Sequence, residues 1–436
     1  MEVLGPLFYR EQKEGSKVSA LPPLFSYTLN RETDFAELDF AYPLLTYDRF
    51  GSEYQFQILQ FLNFAGGMAP SDANVSAHRF TLFPLYFQQR SPMAEENYTA
   101  LIPIYGHLKN RFFRDEVKFA LMPLYVQSRK RDVVTDNFLY PFFHLRHGDG
   151  LSGWQFWPLL GYEHKSATAR TNQWEEAETI GGHEKFFALW PFFFNQTRGI
   201  GTENLEHEQA LLPFYSRLRS PLRDSTSYLW PLGVTHTVDR EKNYTEWGTP
   251  WPFVVFTRGE GKTTTRFWPL FSQARTPTLE SDFYLWPIYK FNAVDSPPLD
   301  RRRTRILFFL YSDLIEKNTE TGAAFHRRDL WPVFTERRDF DGNERLQIFA
   351  PLEPLLPGNK SIERDYSPLW SIWRSERQAE TGHSSQSFLW NLYRAQDSSE
   401  SKKCSLLFGL FQYESTAEST HGRVFHLPMG KSSKQE

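Results

Sequence analysis

The stretch Gly259-Glu260-Gly261-Lys262-Thr263 ends the way a phosphate-cradling loop ends, with lysine and threonine behind a glycine. Such a loop needs a further glycine five residues before Gly261, so that backbone N–H groups can close on the phosphates, and a helix behind it. Position 256 is Phe256 and no helical pattern follows, so these residues read as the tip of a hairpin. A cation would find its best donors between Lys165 and Lys185, where Glu175, Glu176, Glu178, His183 and Glu184 gather carboxylate and imidazole groups. The bland reading of that stretch is a solvated loop. It is also the place where the spacing of the chain is interrupted, and function collects on loops that depart from a regular scaffold.

The remaining chemistry-bearing residues are sparser. His144 and His147 flank Arg146 beside Asp149, without the third ligand or the spacing of a zinc site. Glu206-His207-Glu208 reads as part of a turn, outside the helical setting of an H-E-x-x-H pair. There is no G-x-S-x-G, and Cys404 stands between Lys403 and Ser405 with no histidine partner in sequence. The basic runs Arg129-Lys130-Arg131 and Arg301-Arg302-Arg303-Thr304-Arg305 suit lipid head groups or lipopolysaccharide phosphates, which arginine grips bidentately. Their alternative is cross-strand pairing with carboxylates. N-x-[ST] triplets at Asn74, Asn97, Asn195, Asn243 and Asn359 matter only in a eukaryotic secretory pathway. The sequence therefore assigns no catalytic residue, no cofactor-binding residue, no metal ligand and no cofactor.

The elements that position these residues are set by an uneven apolar pattern. Forty Phe, 20 Tyr and 13 Trp make the 436-residue chain 17% aromatic, yet 23% of it is charged. Mean hydropathy is −0.53, so the apolar residues come in short bursts between polar stretches. A net charge of −3 lacks the basic surplus that phosphate backbones require, and nucleic acid is not expected as a partner. A single cysteine rules out a disulfide framework and a cysteine-rich metal site. No apolar run approaches the ~18 residues of a membrane-spanning helix. Met1 to Arg10 carries neither a basic n-region nor an apolar h-region, which fits a cytoplasmic chain or a mature one whose signal has been removed.

The bursts share one phrase: aromatic, proline, aliphatic, aromatic. Clear copies are Trp190-Pro191-Phe192-Phe193, Trp230-Pro231-Leu232, Trp268-Pro269-Leu270-Phe271 and Trp286-Pro287-Ile288-Tyr289. Anchored on the proline slot, 22 units run from Pro6 to Pro428 at a step of about 20 residues. Four slots lack the proline (Leu62, Phe309, Asn391, Gly409), and the widest step separates Pro158 from Pro191. Residues 1–429 read as a single repetitive β domain and residues 430–436 as a frayed tail.

Phe, Tyr, Trp and Val between turn residues point to strands, and the recurrent proline disfavours helix. Each module predicts one strand with proline near its middle, followed by a turn too short for a parallel crossover. Modules that start acidic and end basic also favour antiparallel neighbours, because like charges directly opposite destabilise. The expected fold is all-β, an antiparallel meander of about 22 strands, with a stacked solenoid or multi-layer β repeat as the alternative. Split by alternation, the bursts show two apolar faces: Phe119, Leu121, Pro123 and Tyr125 against Ala120, Met122, Leu124 and Val126.

Two apolar faces require cover on both sides. Closure into a large outer-membrane barrel supplies it and removes the sheet edges; a sheet folded over itself supplies it too. The functional expectation is a non-enzymatic β-repeat protein of a bacterial cell envelope. In that reading it is an outer-membrane barrel serving as passage, lipid-handling surface or assembly element, with membrane lipid or lipopolysaccharide as partner. The alternative is a soluble periplasmic or extracellular scaffold that binds partners through its loops.

Overall fold

The computed structural model describes residues 2–3, 8–13, 15–68, 76–171, 177–389, 391–417, 419–425 and 427–433. The chain is nearly all β, and every strand pairing described is antiparallel between neighbours in sequence, apart from one short excursion. The meander is therefore observed, and same-direction stacked rungs are not.

The strand count is about twice the expected one. The described residues carry 44 strands of two to eight residues. The reason is the proline phrase, which is a turn rather than a strand centre. Strand Arg114–Ala120 ends at Leu121, the chain reverses through Met122 and Pro123, and strand Tyr125–Lys130 returns beside it. The Leu124 amide donates to the Leu121 carbonyl at 2.8 Å, closing a four-residue turn with proline in third place. The Met122–Pro123 bond is cis, as such a turn requires. One module thus lays down two short strands and two turns. The reversal also corrects the two-face reading, since Phe119 and Val126 are direct cross-strand partners and share a face.

The proline turns are linked to one another. Leu121 donates to Ile104 O at 2.6 Å, Leu139 to Leu124 O at 2.8 Å and Trp157 to Phe142 O at 2.6 Å. Met122 donates to Pro103 O and Tyr140 to Pro123 O, each at 2.7 Å. Proline has no N–H, and it sits where the ladder asks for none. The slots without proline keep the same connection: Leu310 donates to Leu307 O at 3.2 Å, and Trp331 then donates to Leu310 O at 2.8 Å. At the opposite ends of the strands the turns are mostly polar, as at Arg131-Asp132 and Asp149-Gly150. Asp149 and Gly150 both have positive φ (51° and 68°), the backbone of a two-residue hairpin.

The chain forms two compact units, Pro70–Pro277 and the pair of segments Met1–Ala69 and Thr278–Glu436. In the first of these, strands from Ser76–Leu82 to Phe271–Arg275 follow one another, and the core of buried residues is Phe87, Tyr98, Ala100, Leu108 and Phe119. Gly106 lies between Ala100 and Phe119, and a Cβ there would sit 2.3 Å from the Phe119 ring. In the other unit, strands through Leu62–Met68 and from Leu279–Tyr284 onward are joined by a segment that breaks the pattern. The slots at Pro351 and Pro368 are not strand turns. Residues 350–359 are irregular, and helices Lys360–Asp365 and Ser367–Trp370 follow. Asn359 caps the first helix by accepting from the Ile362 amide at 3.0 Å, and Pro368 falls in the first turn of the second.

Gly106→Ala is expected to cost about 1–3 kcal/mol through overpacking against the Phe119 ring. Chemical denaturation checks this, and an unchanged midpoint would remove Phe119 from the core contact described here.

Candidate functional site

The residues flagged by sequence are mostly absorbed into cross-strand pairs. Lys262 bonds Glu246 at 2.8 Å and lies over the Tyr244 ring at 5.3 Å, which leaves Gly259–Lys262 as a hairpin tip. His144 and His147 occupy opposite faces of strand Phe143–Gly148, the first cross-strand from Asn137 and the second 3.9 Å from Asp136. They cannot share a ligand. Glu206-His207-Glu208 lies in strand Glu206–Leu211 rather than a turn; Glu208 accepts from Gln196 at 2.6 Å, and His207 pairs with Thr197 at 3.1 Å. Arg129 reaches Glu116 at 3.7 Å and Arg301 reaches Glu316 at 3.9 Å, the pairing alternative for both basic runs.

The insert between Lys165 and Lys185 is split. Thr168–Thr171 and Ala177–Ile180 form a separate two-stranded ribbon, while Glu175 and Glu176 lie outside the described residues. His183 and Glu184 belong to the main sheet, in strand Gly182–Ala188. Glu184 accepts from the Tyr162 hydroxyl at 3.0 Å. His183 Nε2 meets buried Glu163 at 2.6 Å; Lys185 is 3.4 Å from the same oxygen, and Arg146 holds the other. Among the described residues no three His, Cys, Asp or Glu side chains gather as a metal site.

Burial alone would raise the Glu163 carboxyl, but Arg146, His183 and Lys185 outweigh it and hold the group below its ordinary value. Burial pushes His183 down, aided by Lys185 and Arg146, against the pull of Glu163.

Two features carry no structural explanation of this kind. The first is the proline-turn edge. Leu121, Leu189 and Leu229 are 60%, 60% and 62% exposed, with Trp190, Phe192, Trp230 and Leu232 beside them. Their backbones are left-handed, at φ 47°, 49° and 55°. The same holds at Leu139 and Leu285. Leucine in this region costs roughly 1–2 kcal/mol, a cost that glycine or asparagine avoids. On the sheet face above the turns runs a row of aromatic pairs: Tyr125–Phe138 at 5.4 Å, Phe138–Phe143 at 5.9 Å and Tyr215–Tyr228 at 5.5 Å. Further up, the same face turns polar at Lys118, Gln127 and Asp136.

The second feature lies in the unit formed by residues 1–69 and 278–436, around the helical segment. Arg364 reaches strands near the N-terminus, bonding Glu37 at 2.9 and 3.1 Å, Thr28 at 3.0 Å, and also Asp39. Glu353 anchors the segment's other side. It accepts from Gln347 at 2.7 Å and Trp370 Nε1 at 3.0 Å, and from the Ser367 hydroxyl. Burial pushes Asp365 up to about 6, against the pull of Arg364. The same unit also holds a polar cavity of about 730 Å³ whose wall includes Arg10, Lys17, Arg394, Lys403 and Arg423. Cys404, a half-buried free thiol, also lines it.

The sequence reading missed both features. The edge was hidden because the proline was placed inside a strand. The cavity was hidden because its residues come from both ends of the chain.

No protein-family model matches this sequence, and no curated protein matches it either.

Two acid–base signatures of opposite sign follow. Both groups at the Glu163 site have lowered folded values. His183 contributes stability above 6.5 that is lost as pH falls through its folded value, and Glu163 contributes stability above 4.5 that is lost in the same way. Wild type should therefore lose its advantage over Glu163→Gln as pH falls from 4.5 through the folded value of Glu163, read from thermal midpoints across pH; a constant gap over that window would refute the coupling. Asp365 has a raised folded value, so its contribution is present below 3.8 and lost as pH rises through about 6. Asp365→Asn should match or exceed wild-type stability above pH 6 and lose that gain in acid.

Proposed function

We propose that the protein is a non-enzymatic β-repeat protein that engages lipid with its proline-turn edge. The observation that carries this reading is the row of exposed leucines in left-handed backbone. Turn chemistry would select glycine or asparagine there; leucine implies that the side chain itself is wanted, on the solvent side of the fold.

The layering fits a lipid surface. Turn residues and the first cross-strand row give an apolar depth of ~10 Å. Interfacial elements bury about 5–10 Å of apolar surface among head groups and acyl chains. Tyrosine and tryptophan, which favour that interface, sit at and just above the turns, with charges farther up. With a net charge of −3, insertion of apolar side chains drives this binding rather than charge attraction to anionic lipid.

Strand length weighs against a wall that crosses the bilayer. A spanning strand takes about 9–11 residues, and the described strands have at most eight. The reading is thus an edge resting in one leaflet, in the service of lipid handling or assembly. A bacterial envelope membrane, the outer one included, is the compartment proposed with it, and phospholipid or lipopolysaccharide the lipid. The absence of an enzymatic role is part of the same proposal, supported by titratable clusters already engaged in ion pairs.

The test is flotation with phosphatidylcholine vesicles. Wild type should float. A triple variant, Leu121→Asn, Leu189→Asn and Leu229→Asn, should keep or raise its thermal midpoint while losing vesicle binding by about tenfold or more. Phe113→Ser, at a 98% exposed position on the opposite edge, should float like wild type. Wild type that stays in solution, or a triple variant that floats unchanged, would rule out the lipid edge.

A further inference from the structure

We propose that Lys290, Arg303 and Arg305 bind the phosphate of a lipid head group, just above the proline-turn edge of the unit formed by residues 1–69 and 278–436. The phosphate chemistry stands on the geometry of these three residues; lipid as its source rests on the reading of the edge given above.

The three cations share one face of two neighbouring strands, Tyr289–Ser296 and Leu299–Ile306. Lys290 and Arg305 are direct cross-strand partners, and Arg303 lies two residues before Arg305 on the same face. Like charges placed opposite one another destabilise a sheet. The other cross-strand neighbours are neutral: Phe283 beside Lys290, Asn292 and Leu314 beside Arg303, and Ser312 beside Arg305. Arg305 Nε is buried and has no hydrogen-bond acceptor among the described residues. A buried donor in that state costs free energy until an acceptor is supplied.

Two carboxylates occupy this face in the next two strands, and each has an arginine of its own. Glu316 is 3.9 Å from Arg301. Asp329 accepts from Arg327 Nε through both oxygens, at 3.1 and 2.9 Å, and from the Thr335 hydroxyl at 2.6 Å. Burial, and after it Arg305, pushes the Lys290 ammonium down. Burial, Arg305 and Arg301 push the Arg303 guanidinium down against the pull of Asp329, and Arg327 adds to the push. A bound anion would oppose both shifts and accept from Arg305.

Height along the strands selects the ligand. Tyr289 and Ile306 form the last cross-strand row before the turns, and the tips beyond them expose Leu285, Trp286, Ile288, Leu307 and Phe308. At ~3.3 Å per residue, Lys290 and Arg305 stand about 3 Å above that row and Arg303 about 10 Å above it. Head-group phosphates reach this level when apolar tips rest among acyl chains. Arg303 is exposed while Lys290 and Arg305 are half-buried, so the group is open from the solvent side. Two guanidinium forks and an ammonium suit the several oxygens and higher charge of a phosphomonoester better than a lone carboxylate.

The test compares flotation on vesicles of phosphatidylcholine alone, with phosphatidic acid, and with phosphatidylglycerol at equal surface charge. Wild type should bind the phosphatidic acid vesicles about tenfold more tightly than either of the others. Lys290→Gln and Arg305→Gln should each lose that preference while floating on phosphatidylcholine as wild type does. Arg302→Gln, on the opposite face of the strand and 3.6 Å from Asp300, should keep it. Without lipid or phosphate, Arg305→Gln should keep or raise the thermal midpoint, because it dissolves a like-charge pair; a lowered midpoint would mean that the guanidinium is already satisfied, and would overturn the site. Inorganic pyrophosphate, titrated by calorimetry, separates the sources: binding that needs Arg305, without a preference for phosphatidic acid, supports the phosphate site and overturns its lipid source. If wild type neither prefers phosphatidic acid nor binds pyrophosphate, or if both variants behave like wild type, the proposal is overturned. Flotation on phosphatidylcholine is untouched by that result, and its loss alone overturns the edge and not the phosphate site.

Discussion

The constraint on which the structure depends is a reversal made without a backbone amide. At the proline slots the chain must turn while its proline offers no N–H to the neighbouring strand. The turn answers this with its flanking residues: the amide after proline closes onto the residue two before it, and its carbonyl then receives the next turn. The reversals thereby extend the sheet's own ladder. They also fix which side chains lie at the tip, namely the aromatic residue before proline and the aliphatic one after it.

That geometry inverts the usual distribution of polarity. A compact domain ordinarily buries its large apolar side chains. Here many stand at the turn tips, while fully buried positions go to Ser26, Thr257, Thr264 and Gln347 as well as to Leu108. Part of the interior is then held by hydrogen bonds to carboxylates, as from Thr257 to Glu246 at 2.9 Å and from Gln347 Nε2 to Glu353 at 2.7 Å, which offset the desolvation of those groups. The helical segment serves this need in its unit. Arg364 and Glu353 sit on its two sides and bond strands from distant parts of the chain. A burial pattern this polar ties stability to protonation, and it does so with both signs, downward from Glu163 and upward from Asp365.

The all-β class and the antiparallel course were legible, because aromatic bursts between turn residues and short connections admit little else. Hairpin tips such as Gly259–Lys262 were legible for the same reason. Pairing of Arg129 with a carboxylate was one of two readings, but its partner Glu116 was not legible, because the two lay at opposite ends of what read as one strand. The position of the proline was not legible either. A burst such as Phe119-Ala120-Leu121-Met122-Pro123-Leu124-Tyr125-Val126 reads equally as one strand or as two half-strands around a turn, since both bring apolar residues together. The order Leu-Met-Pro carries no glycine or asparagine to mark the left-handed residue, which is Leu121 itself. The helical segment did leave a trace: Asn359 followed by Glu363 is a helix start signal. The regular spacing of Pro351 and Pro368 masked it. The Glu163 site and the cavity depend on which strands become neighbours and which segments meet, and local pattern does not specify that.

The character of the exposed edge also bears on what can cover it. A protein partner recognises a patch through a few distinct anchors of differing shape, set in pockets that fit them. The turn tips offer the reverse, the same leucine, tryptophan and proline at one turn after another. A fluid acyl layer has no shape to match and accepts a row of like side chains equally well at every point. Repetition that would dilute specificity in a protein interface therefore strengthens binding to lipid, because each copy adds apolar area without a requirement for register. Slots where proline is missing keep leucine in the same left-handed place, as at Leu307 and Leu407, so the turn can be built in more than one way while its tip stays apolar, a pattern in keeping with the lipid edge proposed above.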